Sequence, residues 1–241
     1  MAAARELVIG DDPAAWQALG FAVGDDGTFA LGGVRVRLVR GRAAVELRIE
    51  GLDTDRPDGL AVVRVRHARR GPPAAAAAAA RPEPTAASAG AARPDPPAAS
   101  AAAARPEPTA ASARAARRDP PAVSPHPNGA TAIDHVVVFT DDRDRTAAAL
   151  AAAGGDVRRR GDPPELPAPM AFVRFGELVV EVAQAGGPAR IWGVSFVVPD
   201  LDALAGPLLG AARPAVQPGR RIVTVSRAAG LSLAVALITP R

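Results

Sequence analysis

The chain has 241 residues and a formal net charge of +4, with 29 basic residues that are all arginine and no cysteine, tyrosine or lysine. The lack of cysteine excludes a disulfide framework and thiolate chemistry. Near-balanced charge and an aromatic content of 3% argue against a nucleic-acid partner, because a high isoelectric point produced by missing lysine and tyrosine is not a basic patch.

Residues 1–68 read as a compact segment in the order strand, helix, then strands. Glu6 to Gly10 forms a strand. Asp12 then caps a helix that has Pro13 at its first position and Gly20 past its end. Phe21 to Val23, Thr28 to Leu31, Val34 to Val39, Ala44 to Ile49 and Ala61 to Val65 are predicted strands, the third alternating with period two. The opening residues lack the apolar core of a signal peptide, and no apolar run reaches the length of a membrane span, so no membrane partner and a cytoplasmic location are expected.

Residues 69–128 are a Pro/Ala/Arg-rich repeat. Arginines at 69, 81, 93, 105 and 117 set a period of twelve, and the clearest copies begin Arg81-Pro-Glu-Pro, Arg93-Pro-Asp-Pro and Arg105-Pro-Glu-Pro. Each unit offers only alanine for burial, which cannot offset the entropy of ordering its backbone. A disordered, solvated linker of polyproline-like and alanine-rich stretches is therefore expected.

Residues 129–241 contain one pattern twice. The first pass is a strand over 133–140, a helix over 142–153 and strands over 157–160, 171–175 and 178–183. The second is a strand over 194–198, a helix from about 201 to 209 that Pro207 shortens, and strands over 214–216, 222–226 and 233–238. A displacement of fifty-eight residues carries Asp142 onto Asp200, Asp144 onto Asp202, Val136 onto Val194 and His135 onto Gly193. The pattern predicts an α+β fold of two β-α-β-β-β modules.

His135 and Glu181 are the leading site candidates, since an imidazole or a carboxylate inside an apolar strand is costly unless something satisfies it. Three readings of His135 stand: an interior histidine hydrogen-bonded to Glu181, a metal ligand, or an acid–base group. Trp192 is a candidate pocket wall as well as a core residue. Arg174 is a candidate anion contact as well as a solvated charge. Arg220 and Arg221 read as a basic surface turn, and Arg158 to Arg160 as a charged edge strand. No phosphate-cradling glycine loop and no serine in a nucleophile elbow is found.

The paired modules resemble the vicinal oxygen chelate superfamily, which includes glyoxalases, epimerases, extradiol dioxygenases and bleomycin-resistance proteins. The carrying residues are the strand Ile133-Asp134-His135-Val136-Val137-Val138, Glu181 near the end of the fourth strand, Pro127-Asn128-Gly129, Trp192-Gly193 and Asp200-Leu201-Asp202. The resemblance covers residues 130–241 and implies a cupped, open β-barrel around a small organic ligand, with 1–68 a degenerate partner module. It implies a divalent metal as cofactor, held by His135 and Glu181, with Glu181 as ligand or base in lyase or isomerase chemistry. It also makes the second module's ligand positions Gly193 and one of Ala234 to Ala236, none of which offers a side-chain donor. A non-catalytic, resistance-type binding protein is the alternative, and barrels shared between chains leave a homodimer open.

Overall fold

A computed structural model describes residues 2–41, 45–65, 126–161, 168–204 and 206–241. The repeat, with its expected disorder, lies outside the described residues except for its last three positions, 126–128. The described residues belong to one compact unit, so the N-terminal modules and the C-terminal pair share a core.

The C-terminal sheet has eight strands: β6 (Ala132–Thr140), β7 (Asp156–Gly161), β8 (Met170–Phe175), β9 (Leu178–Gln184), β10 (Arg190–Val197), β11 (Arg213–Pro214), β12 (Arg221–Thr224) and β13 (Ala234–Ile238). Their order is β11-β12-β13-β10-β6-β9-β8-β7. Each module opens and closes with parallel neighbours, β6 with β9 and β10 with β13, and the two opening strands pair antiparallel across the module boundary. The strand order of the two expected modules is thus duplicated. Of the expected cupped, open barrel, the described residues form one open sheet that does not close, with β7 and β11 as its edges. The charged run Arg158–Arg160 lies on the β7 edge, where it discourages pairing with another chain.

Helix α2 (Arg143–Ala152) forms where the caps direct it. Asp142 accepts a hydrogen bond from the Arg145 amide, and Gly154 leaves the helix at φ +100°. The second module departs from expectation, because the described residues around Asp200–Gly210 are turns and no α-helix forms. Gly206 at φ +159° and Pro207 give that segment a backbone incompatible with a helix.

The N-terminal sheet contains β1 (Ala3–Ile9), β2 (Thr28–Leu31), β3 (Val34–Leu38), β4 (Glu46–Glu50) and β5 (Val62–Arg64), in the order β2-β3-β1-β4-β5. Helix α1 (Pro13–Ala18) has Asp12 as its N-cap, and Gly20 follows at φ +80°. Phe21 to Val23 form no strand, and Phe21 turns inward instead. The pairing senses along this sheet repeat those of β8-β9-β6-β10-β13: antiparallel, parallel, antiparallel, parallel.

The shared core lies on one face of the large sheet. Val136, Val138, Val180, Val182, Val194 and Phe196 alternate onto that face and meet α2 and the N-terminal modules. Trp16, Phe21 and Phe29 converge on Phe196, with Phe196 at 4.9 Å from Phe21 and 5.8 Å from Trp16 between ring centroids. Such tilted and edge-on pairs add roughly 0.5–1.5 kcal/mol each beyond area burial. Polar clasps fix the join. Asp11 accepts from the Trp16 indole and the Ser232 amide, and Asp58 accepts from Thr146 and Arg145 of α2. His126 stands edge-on to Phe21 and Phe29, accepts from the Ala22 amide at Nδ1 (3.0 Å) and donates from Nε2 to the Ala30 carbonyl (3.2 Å). That directs His126 away from the site candidates.

Candidate functional site

The opposite face of the large sheet carries His135, Glu181 and Ser195, together with Val137, Phe172 and Trp192, around a cleft of about 300 Å³. Strand alternation accounts for most of this set. A β-bulge accounts for the rest. Across the β6–β10 pair, Ser195 faces His135 but Phe196 faces Ile133, so Asp134 is an extra residue and turns toward the same side as His135. The same ladder has a second bulge, with Ile191 facing Val138 and Gly193 facing Val137, which leaves Trp192 as the extra residue. The displacement that relates the modules carries Asp134 onto Trp192. The duplication therefore extends to its irregularities.

The bulge assembles a chain of polar groups. Ser195 Oγ lies 3.0 Å from His135 Nε2, and His135 Nδ1 lies 2.8 Å from Asp134 Oδ2. Arg220, from the turn before β12, grips Asp134 with Nη2 at 2.7 Å from Oδ1 and Nη1 at 3.3 Å from Oδ2, and also donates from Nε to the Thr239 carbonyl. Arg220 is thus buried, not the surface charge expected. The reason is that its guanidinium has a buried carboxylate to neutralise. Its neighbour Arg221 does stay exposed, paired with Asp202.

Burial alone would raise the Asp134 carboxyl. The hydrogen bonds from His135 and Arg220 outweigh it and hold Asp134 well below the usual carboxylate range. An ionised Asp134 requires the proton of a neutral His135 ring to sit on Nδ1, so Nε2 presents its lone pair to Ser195. Glu181 behaves oppositely. Burial raises its carboxyl, the His135 ring opposes the rise, and the Asp134 charge adds to it. Glu181 Oε2 lies 3.9 Å from His135 Nε2, so the pair singled out from the sequence does meet, at ion-pair rather than hydrogen-bond distance.

Trp192 lines the cleft and remains 41% exposed, with its ring stacked on Phe139 at 4.4 Å between centroids. Arg174 is placed elsewhere. It donates to the Gly176 carbonyl and Glu177 beside its own hairpin turn, in an adjoining open groove with Arg158, Arg159 and Arg241. Asp134, Ser195 and Arg220 escape a reading of the sequence alone. Their one signal is the cross-strand register, which follows once the two opening strands are paired about Val136 and Val194.

A metal centre of the kind the resemblance implies needs about three side-chain ligands. The residues present do not fit one. His135 has both ring nitrogens in hydrogen bonds, and among the described residues no three His, Asp or Glu groups gather as a metal site. The dyad mates of His135 and Glu181 are Gly193 and Ala236. A Cβ on Gly193 would lie 2.9 Å from the Ala234 carbonyl oxygen, so that position has no room for a ligand side chain without movement of β13.

No protein-family model and no curated protein sequence matches the chain. Solved structures that are similar include methylmalonyl-CoA epimerase from Mycobacterium tuberculosis, at 16% identity over 47% of this chain and 91% of that one, with a TM-score of 0.41. Streptomyces coelicolor methylmalonyl-CoA epimerase in complex with 2-nitronate-propionyl-CoA is 16% identical over 46% and 97%, with a TM-score of 0.38. A hypothetical protein from Bacillus halodurans C-125 is 11% identical over 45% and 94%, with a TM-score of 0.37. Among the described residues no helix is long and apolar enough to cross a membrane. By its duplicated strand order, its antiparallel opening strands and its dyad-related bulges, the C-terminal half has a fold of the vicinal oxygen chelate type.

Proposed function

We propose that the protein binds a small organic carbonyl compound in the cleft beside Trp192 and moves a proton on the carbon next to that carbonyl. The observation that carries this reading is the convergence of His135 and Glu181 in one apolar cleft, 3.9 Å apart, with Asp134 locking the imidazole from behind. Nε2 of His135 accepts the proton from carbon. The Glu181 carboxyl, which burial favours in its acid form, donates to the carbonyl oxygen as negative charge develops there. Return of a proton to carbon from either group completes an isomerisation. No step uses a metal.

The test is exchange of carbon-bound hydrogen for deuterium in a panel of small 2-oxo acids, β-keto acids and acyl thioesters, followed by NMR with purified protein. Exchange of at least one compound is expected, with losses of about 10²–10⁴-fold in H135Q and E181Q. Compounds that bind with no exchange in the wild-type protein would reject the enzyme and leave the second reading, a sequestering protein. The exposed Trp192–Phe139 stack favours that second reading, since it offers a flat apolar wall that needs no chemistry behind it.

A further inference from the structure

We propose that Ser195 is a nucleophile, activated by His135 and Asp134, and that the cleft transfers acyl groups from small esters whose acyl portion is apolar. The proposal rests on the preceding assignment of Nε2 of His135 as a proton acceptor. It goes further in adding a covalent step. Ser195 Oγ, His135 and Asp134 stand in one hydrogen-bonded line, 3.0 Å and 2.8 Å long, which is the spacing of a nucleophile, a base and the group that orients the base. The orienting carboxylate is itself fixed by Arg220, so the imidazole cannot swing without losing its hydrogen bond to a carboxylate that is held in place.

Hydroxyl–imidazole–carboxylate arrangements are recognised by geometry and roles rather than by chain order. Here the strand bulge does what an elbow does elsewhere, because it lets adjacent Asp134 and His135 serve one face. Strand β10 is paired on both sides at Ser195, so its backbone amides are committed to the sheet. The donor for a developing oxyanion must therefore be a side chain, and the Glu181 carboxyl, which donates when protonated, is the one beside this group. Val137, Phe172, Trp192 and Ile222 give the cleft its apolar lining.

In the first half-reaction Ser195 Oγ adds to the ester carbonyl carbon and its proton passes to His135 Nε2. The carbonyl electron pair moves onto oxygen, which accepts a hydrogen bond from Glu181. Collapse of this adduct breaks the ester C–O bond, and the leaving alkoxide takes the proton from Nε2. Water then repeats the sequence on the acyl-serine, releasing a carboxylic acid and restoring the hydroxyl.

The test is covalent labelling with an alkyl fluorophosphonate, read by intact mass and peptide mapping. One adduct per chain at Ser195 is expected, absent in S195A and formed at least 100-fold more slowly in H135Q. No adduct, or one that persists in S195A, overturns the proposal. Because the chain has no cysteine, S195C supplies a single thiol and a second readout. Its alkylation by iodoacetamide at pH 6 is expected to run at least tenfold faster than in S195C/H135Q, since the imidazole favours the thiolate. Equal rates would also overturn it. Deuterium exchange without phosphonylation retains the proton-transfer reading and rejects this one; phosphonylation without exchange does the reverse.

Discussion

Arg220 Nη2 lies 2.7 Å from Asp134 Oδ1, and the two side chains are 4% and 6% exposed. One residue belongs to the second module's hairpin and the other to the first module's opening strand, so the pair joins the modules behind the cleft. Removing one member of a buried pair strands the other charge, which costs about 3–5 kcal/mol. R220L is expected to lose stability on that scale in urea titrations. R220K should fall between, because a single ammonium cannot reproduce the two-pronged grip. D134L/R220L should recover most of the loss. A double variant as unstable as R220L alone would mean that the ion pair is not the source.

Glu181 should lower stability wherever it is ionised. Its carboxyl is raised by burial, so the folded state holds that proton more tightly than the unfolded state does. The resulting stabilisation is complete below the ordinary carboxylate range and is lost as pH rises through the raised value. E181Q cannot ionise and is expected to melt above the wild-type protein at any pH where Glu181 is ionised, with the gap closing as pH falls toward 4. A gap of constant size from pH 4 to pH 8 would show that ionisation plays no part.

Much of this architecture was legible in the sequence because it is written in local signals. The Asp12 and Asp142 caps, the glycines after each helix and the alternating strands specify their elements over a few residues. The fifty-eight-residue displacement specifies the duplication. The polar network was not legible, because it depends on a bulge, and a bulge is visible only after two distant strands are in register. The N-terminal sheet shows the consequence. Its β1–β4 pair carries the same irregularity, with Arg5 as the extra residue, so Glu6 occupies the place of His135 and Arg48 that of Ser195. Arg37, the β3 partner of Val8, occupies the place of Glu181. These three residues form an ion triad, Glu6 lying 3.3 Å from Arg37 and 2.9 Å from Arg48. The same three positions therefore hold acid, imidazole and hydroxyl in one sheet and mutual salt bridges in the other.

His126 gives the fold an acid sensitivity separate from the cleft. Burial lowers its basicity, while the Ala30 carbonyl works the other way. Protonation would force a second N–H against the Ala22 amide, which now donates to Nδ1. The histidine's contribution to stability is complete above about pH 6.5 and is lost as pH falls toward the lowered value. Thermal melts between pH 7.5 and pH 5 should show a decline that is smaller in H126N, whose amide oxygen can accept from Ala22 without titrating. Parallel declines in both proteins would place the acid-sensitive group elsewhere.

Trp192 and Trp16 divide the protein's indole fluorescence into two environments. Trp16 is fully buried in the aromatic core and holds Asp11 through its indole N–H, whereas Trp192 is 41% exposed at the cleft. A ligand that enters the cleft desolvates Trp192 and leaves Trp16 untouched. Binding is therefore expected to shift emission to shorter wavelength in the wild-type protein and to leave W192F almost unchanged. W192F should also weaken binding by roughly fivefold, the scale of losing an aromatic contact of about 1 kcal/mol. If W192F keeps both the shift and the affinity, the ligand sits away from the His135 face, and the assignment of this cleft as the binding site is wrong.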